Sequence, residues 1–176
     1  MYCPSEDSYL LSKTLKKYLK DKNRAIRILD MGSGSGIQAE TCRELGFKNI
    51  IVADIDKEAV RHLRKKGFKA VYSDLFSNIN KKSKFNLIIF NPPYLPQDEY
   101  DKEKDATGGK KGYETILKFL KQAKFHLNKE GKILLLFSSL SKPGIIKKQA
   151  KQLSYKITKL SNKKLFFEEL FVYELF

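Results

Sequence analysis

What most constrains this chain is an alternation of short apolar runs with segments of helical period, repeated almost to its end. The runs are AIRILD (25–30), NIIVADI (49–55), FKAVYSD (68–74), FNLIIF (85–90) and KILLLFSS (132–139). Between and around them lie SEDSYLLSKTLKKYLK (5–20), IQAETCRELG (37–46), DKEAVRHLRKKG (56–67), GYETILKFLKQAKFHLN (112–128) and PGIIKKQAKQLSY (143–155). In the first of these, Leu11, Leu15, Tyr18 and Leu19 recur at helical spacing after a Ser-Glu-Asp that suits a helix start. Gly46 and Gly67 stop two helices, and Pro143 opens another. Strands separated by helices cannot pair as hairpins, so the expectation is an α/β fold: a mostly parallel sheet with helices on both faces. NLIIF and ILLLF are nearly continuously apolar, as strands covered on both sides should be. KITKLSN (156–162) and EELFVYELF (168–176) follow each other closely and are expected to be antiparallel neighbours.

At 176 residues the chain suits one domain spanning 1–176. No apolar run nears the ~20 residues of a membrane span, and MYCPSEDSYLL has no basic leader, so the expectation is a cytoplasmic protein without signal peptide or membrane contact. Cys3 and Cys42 stand alone, without a second Cys or His at metal spacing; they read as reduced thiols, and no metal site is expected. His62 and His126 fall in helical stretches and read as surface or capping residues. The net charge is +15. It suits an RNA-associated partner or substrate, and equally a set of scattered lysines on solvated helix faces.

The chemistry gathers at strand ends. DMGSGSG follows the first strand and opens a helix, with Gly32, Gly34 and Gly36 where the backbone must turn tightly and admit a ligand. Open α/β sheets bind ligands at the carboxyl ends of their strands. The spacing departs from that of dinucleotide sites, and Asp30 sits at the strand end. A carboxylate there repels a pyrophosphate and attracts a cation, which favours a cofactor carrying an amino-acid or sulfonium charge. The second strand ends in Asp54, which can take both hydroxyls of a ribose; the third ends in Asp74, within SDLF. Three acids ending successive strands suit one nucleoside-like ligand.

The fourth strand ends in FNPPYLP. Two prolines stop the strand and stiffen the turn, with Asn91 at its tip. The Asn91 side-chain oxygen and the Pro92 carbonyl can accept both hydrogens of a flat –NH₂ group, and Tyr94 can stack on it. Such a nitrogen is a poor nucleophile because its lone pair is delocalised, and two acceptors with a methyl donor in line would hold it for attack. The long stretch from Pro92 to Gly112 reads as a functional or mobile loop.

Together, DMGSGSG, ADID, SDLF and NPPY resemble class I S-adenosylmethionine methyltransferases acting on exocyclic or amide nitrogen. With PSEDSYLL and the GG-x-x-G-x-E segment GGKKGYE, nearly the whole chain resembles the HemK-like release-factor glutamine N5-methyltransferases, in their short archaeal and eukaryotic branch. The resemblance implies a Rossmann-like sheet of seven strands in the order 3-2-1-4-5-7-6, with strand 7 antiparallel. It implies S-adenosyl-L-methionine as cofactor, with Asp30, Gly32, Gly34 and Gly36 at its methionine end, Asp54 on its ribose, and Asp74 and Leu75 beside its adenine. Ser8 would lie against the cofactor from the N-terminal segment, and Asn91, itself near the cofactor, would bind the substrate amide with Pro92, Pro93 and Tyr94. The substrate implied is the glutamine of a Gly-Gly-Gln motif in a translation release factor. Tyr113 departs from the family pattern, where arginine is common, and the extra N-terminal helical domain of bacterial members is not expected. An RNA or DNA base amino-methyltransferase is the alternative, favoured by the charge; a non-catalytic cofactor-binding protein is a lesser one. In the implied strand order FKAVYSD is an edge with little charge to protect it. The resemblance implies a small zinc-binding activator protein paired with residues 69–73.

Overall fold

The structure is a computed structural model that describes residues 4–94 and 112–176. Its elements run α1 (Glu6–Leu19), β1 (Ile28–Met31), α2 (Ile37–Glu44), β2 (Ile50–Asp54), α3 (Lys57–Lys65), β3 (Lys69–Tyr72), β4 (Phe85–Phe90), α4 (Glu114–Ala123), β5 (Leu127–Ser138), α5 (Pro143–Gln152), β6 (Ile157–Lys164) and β7 (Glu169–Leu175). The strands form one seven-stranded sheet in the order β3-β2-β1-β4-β5-β7-β6. Strands β1 to β5 are parallel to one another, and β7 runs antiparallel to both β5 and β6. This is the architecture expected from the alternation and from the resemblance.

The apolar strands divide their residues between two layers. Ile28, Leu87, Ile89, Leu134 and Leu136 face a cluster with α1, α2 and α3, which contribute Leu11, Leu15, Ala39 and Leu63. Their neighbours Leu29, Ile88, Phe90, Ile133 and Leu135 face α4 and α5, through Ile116, Phe119 and Ile146. Successive side chains of a strand point to opposite faces, so a run apolar at every position demands cover on both. On α1 the predicted stripe is real: Leu11, Leu15 and Leu19 are fully buried, and the Tyr18 hydroxyl donates to Glu174 Oε1 at 2.8 Å.

One boundary differs from the sequence reading. The helix expected to run to Asn128 ends at Ala123, followed by a 3-10 turn over Lys124–His126, and β5 already begins at Leu127. Its first residues reach β4 with a register shift between Phe85 and Leu87. A Cβ on Gly131 would lie 2.8 Å from the Phe85 carbonyl oxygen. That close passage is a tertiary demand with no periodic signature.

Parallel strands in register bring their carboxyl ends level. Met31 of β1 is opposite Ala53 of β2 and Phe90 of β4, so Asp30, Asp54 and Asn91 share one end of the sheet. Among the described residues no helix is long and apolar enough to cross a membrane.

Candidate active site

The turn after β1 is held open by glycine geometry. Gly32 has φ +61°, and a Cβ there would sit 3.3 Å from the Phe90 ring; at Gly36, φ +87°, it would sit 2.6 Å from Leu63. Both positions carry a left-handed backbone and a close approach, so side chains are excluded twice over. Gly32 is nonetheless exposed on its other side. Asp54 ties this loop to β2: its Oδ2 accepts the Gly34 N–H at 2.7 Å and its Oδ1 the Asp56 N–H at 2.8 Å. The Ile55 N–H donates to the same carboxylate, which leaves it one further acceptor position.

Asp30 is 1% exposed, and its Oδ2 has no hydrogen-bond partner among the described residues. Burial pushes its carboxyl up to about 7, with the charge of Asp54 adding to the rise and hydrogen bonds from Ser33 and the Ala39 backbone opposing it. The Asp54 carboxyl is raised too, chiefly by burial. Two acids held close in a desolvated turn are well placed for a cationic ligand, whose charge stabilises both ionised forms.

At the end of β3, Asp74 is exposed and paired with Lys118 Nζ at 2.8 Å. Leu75 is buried at φ +50°, a conformation that strains a side-chain-bearing residue by about 1 kcal/mol or more. The Ser73 hydroxyl, which donates to the Leu75 carbonyl at 2.6 Å, braces it.

At the end of β4 the Asn91 Nδ2 donates to Asp7 Oδ2 at 2.9 Å. A carboxylate accepts only, so the NH₂ end of the amide must face Asp7, which fixes the direction of the carbonyl end. That oxygen, Oδ1, is buried and has no partner among the described residues. Asp7 is itself held: it is 3% exposed, and its Oδ1 accepts from the Ser5 hydroxyl at 2.8 Å and the Ser8 N–H at 2.6 Å. Sequence reasoning missed Asp7, taking SED as a helix start alone. A buried acid in a first helical turn differs from a capping acid only through what the fold places against it.

The other expected residues gather at the same end. Ser8 is buried, its carbonyl accepting from Gln38 Nε2 of α2 at 2.9 Å. Pro92 is buried, and Pro93 and Tyr94 are half-buried. The Tyr94 ring packs against the cluster on the α1 side of the sheet, and its carbonyl accepts from the Ser141 hydroxyl at 2.9 Å. His126 corrects the expectation of a surface or capping role: it is buried, stacks on Phe76 at 4.5 Å, and lies 3.0 Å through Nδ1 from the Ser83 carbonyl. Cys42 is buried and unpaired, its thiol pushed up by burial and then by the charge of Asp30. Cys3 and residues 95–111, which make up nearly all of the long loop and most of GGKKGYE, lie outside the described residues.

A seven-stranded sheet of this order, with a glycine turn after β1 and Asn-Pro-Pro-Tyr after β4, defines a Rossmann-like methyltransferase. Comparison with known proteins agrees. Residues 6–158 match the methyltransferase small domain, and the chain belongs to that family. A candidate protein N5-glutamine methyltransferase of Methanocaldococcus jannaschii is 35% identical over 184 residues, covering 98% of this chain and 89% of that protein. A release factor glutamine methyltransferase of Fusobacterium nucleatum is 31% identical over 106 residues, 56% of this chain but only 30% of its own length. Among solved structures, the E. cuniculi Mtq2–Trm112 complex, responsible for methylating the translation termination factor eRF1, superposes with a TM-score of 0.81. Its identity is 25%, and the match covers 99% of this chain and 96% of that one.

Proposed function

We propose that this protein transfers a methyl group from S-adenosylmethionine to the side-chain amide nitrogen of the glutamine in a Gly-Gly-Gln motif of a translation release factor. The observation that carries the reading is Asn91, whose Oδ1 is buried without a partner among the described residues while its Nδ2 is held by Asp7. An unsatisfied buried acceptor costs about 1–3 kcal/mol and is repaid when a substrate amide donates to it. With the Pro92 carbonyl as second acceptor, both hydrogens of a planar –NH₂ are engaged and its nitrogen faces outward.

The cofactor supplies a methyl group on a positively charged sulfur. The residues around the glycine turn fit it. Asp30 offers a buried carboxylate oxygen without a partner among the described residues to the cationic amino-acid end, Gly32 and Gly34 let backbone approach, and Asp54 has an acceptor position left for a ribose hydroxyl. Asp74 and Leu75 would border the adenine, and Ser8 would close the site from α1. Asn91 and Pro92 would orient the amide as hydrogen-bond acceptors only; once the new N–C bond has formed, the proton that the nitrogen sheds passes to solvent. No strong base is required, and no histidine is assigned.

The names of the archaeal and bacterial relatives and the activity of the E. cuniculi complex support a release-factor substrate, and with such a substrate we infer a cytoplasmic protein. The same complex supports a small partner protein, for which we propose a zinc-binding module seated along β3. The test is methyl incorporation from labelled cofactor into a purified release factor and into the same factor with the motif glutamine replaced by alanine. Incorporation into the first alone is expected; equal labelling of both would end the reading.

A second reading, methylation of an RNA or DNA base, draws on the net charge of +15 and on a groove of about 680 Å³ lined by Lys81, Lys84 and Lys118 beside Asp74. Parallel assays on tRNA, rRNA and duplex DNA separate the two. The intact cradle argues against a non-catalytic role, for which S-adenosylhomocysteine production is the check.

A further inference from the structure

The turn between β6 and β7 presents two phenylalanines to solvent. Phe166 is 92% and Phe167 84% exposed, and they pack edge-on against each other with centroids 4.6 Å apart. Adjacent bare aromatics at a hairpin tip mark a contact site, because each Phe buries about 150–250 Å² when covered. Their place in the fold says what covers them. Ser138 of β5 pairs with Leu170, and Lys164 of β6 with Glu169, so the tip lies at the carboxyl end of the parallel strands, the end that holds Asn91. Two routes fasten it to the Asn91 cradle. Glu6 pairs with Lys163 of β6, while the next residue, Asp7, holds Asn91. In the turn after β5, the Ser139 hydroxyl accepts the Glu169 N–H at 3.0 Å, and Ser141 donates to the Tyr94 carbonyl. Leu140, between those serines, is itself exposed. Tip, Leu140 and cradle therefore form one continuous rim. From β4 to β6 is three strand spacings, roughly 14 Å, a span that four or five extended residues cover.

We propose that Phe166 and Phe167, with Leu140, dock the folded protein substrate through an apolar pocket beside its glutamine loop. The inference rests on the release-factor reading and adds where that protein is gripped. A macromolecule that inserts one amide into the cradle must lie across this rim, and the aromatic pair is its large apolar feature there. The test uses the full chain, together with its partner protein if activity requires one. Initial rates with a purified release factor are compared for wild type, the double variant Phe166→Ser/Phe167→Ser and the apolar control Phe166→Leu/Phe167→Leu. Truncating an interface hot spot commonly weakens binding tenfold or more, so the serine variant should show KM for the release factor raised about ten- to thirtyfold. Its kcat should stay within twofold, its affinity for S-adenosylhomocysteine should be unchanged by calorimetry, and the leucine control should remain near wild type. An unchanged KM in the serine variant, with wild type active, overturns the docking role alone. So does a KM increase matched by lost cofactor affinity, which means a disturbed fold. Sedimentation showing a wild-type dimer that the serine variant dissolves assigns the tip to a second copy instead. Wild type that labels tRNA but no release factor sinks the functional reading itself, and the docking inference with it.

Discussion

Asn91 and Asp7 work as a pair, one presenting an oxygen and the other deciding which end of the amide is presented. Asn91→Ala removes a preorganised polar contact and should lower turnover by about 10²–10³ while leaving cofactor affinity intact, as single-turnover rates and calorimetry will report. Asp7→Ala leaves Asn91 in place but frees it to turn, so a smaller loss of about tenfold in kcat is expected, with Asp7→Asn, which keeps an acceptor oxygen, falling less. An Asp7→Ala enzyme with normal kcat would show that the contact is incidental. Asp30 sets a pH dependence. Its raised carboxyl, at about 7, means that the folded chain holds this proton more tightly than the unfolded one. Its contribution to stability is complete below the ordinary aspartate range and is lost as pH climbs toward 7. A cationic ligand prefers the ionised form, so cofactor affinity should rise with pH from 5.5 to 7.5, by up to tenfold per unit at the acid end. Asp30→Asn should bind weakly at every pH without that slope, and a parallel slope in the variant would assign the titration elsewhere.

Among the elements, β3 carries the decision about a partner. Among the described residues it pairs only with β2, which leaves its other side without a strand from them. The Ser73 N–H donates to Asp54 of β2; by strand alternation Ala70 and Tyr72 point their backbone groups outward. The edge is better defended than its sequence suggests. The Ala70 carbonyl accepts from Nε and Nη2 of Arg64 at 3.2 and 3.1 Å, and the Tyr72 carbonyl from Asn78 Nδ2 at 2.9 Å. A partner strand has to displace those two side chains. Tyr72→Pro removes an outward N–H without breaking a bond to β2, so it should abolish complex formation in a pull-down with the small partner while the isolated protein keeps its melting temperature within a few degrees. Retention of the complex would move the partner away from β3.

Over the whole molecule, 35 basic residues face 20 acidic ones. The ion pairs seen between described residues, such as Arg61 with Glu58 and Lys16 with Glu44, are largely exposed, and exposed pairs contribute little. Net repulsion should therefore dominate the salt response. Raising NaCl from 50 to 300 mM shortens the screening length and should raise the melting temperature by about 2–4 °C, the shift that about 1 kcal/mol gives a chain of this size. A fall on adding salt would mean that attractive pairs outweigh the excess positive charge.

Periodicity and composition were enough to specify the sheet class, because a run such as NLIIF is stable only when covered on both faces and a helix between two runs forbids a hairpin. The glycine turn and Asn-Pro-Pro were legible for a similar reason: left-handed backbone and a stopped strand are demands on single residues, written at those residues. The order 3-2-1-4-5-7-6 entered through resemblance, since nothing local dictates which strands become neighbours. Contacts between residues far apart in the chain could be read from neither. Asp7 meets Asn91 across a sequence separation of 84, Lys118 takes Asp74, Arg64 and Asn78 cap the open edge, and the Phe166–Phe167 tip comes to share a rim with the cradle. Each depends on register and on the docking of a helix against a strand end, which many residues decide jointly. The side chains of Asp7 and of the β6–β7 turn alone looked like an ordinary cap and an ordinary hairpin; tertiary structure sets them at the same end of the sheet as Asn91.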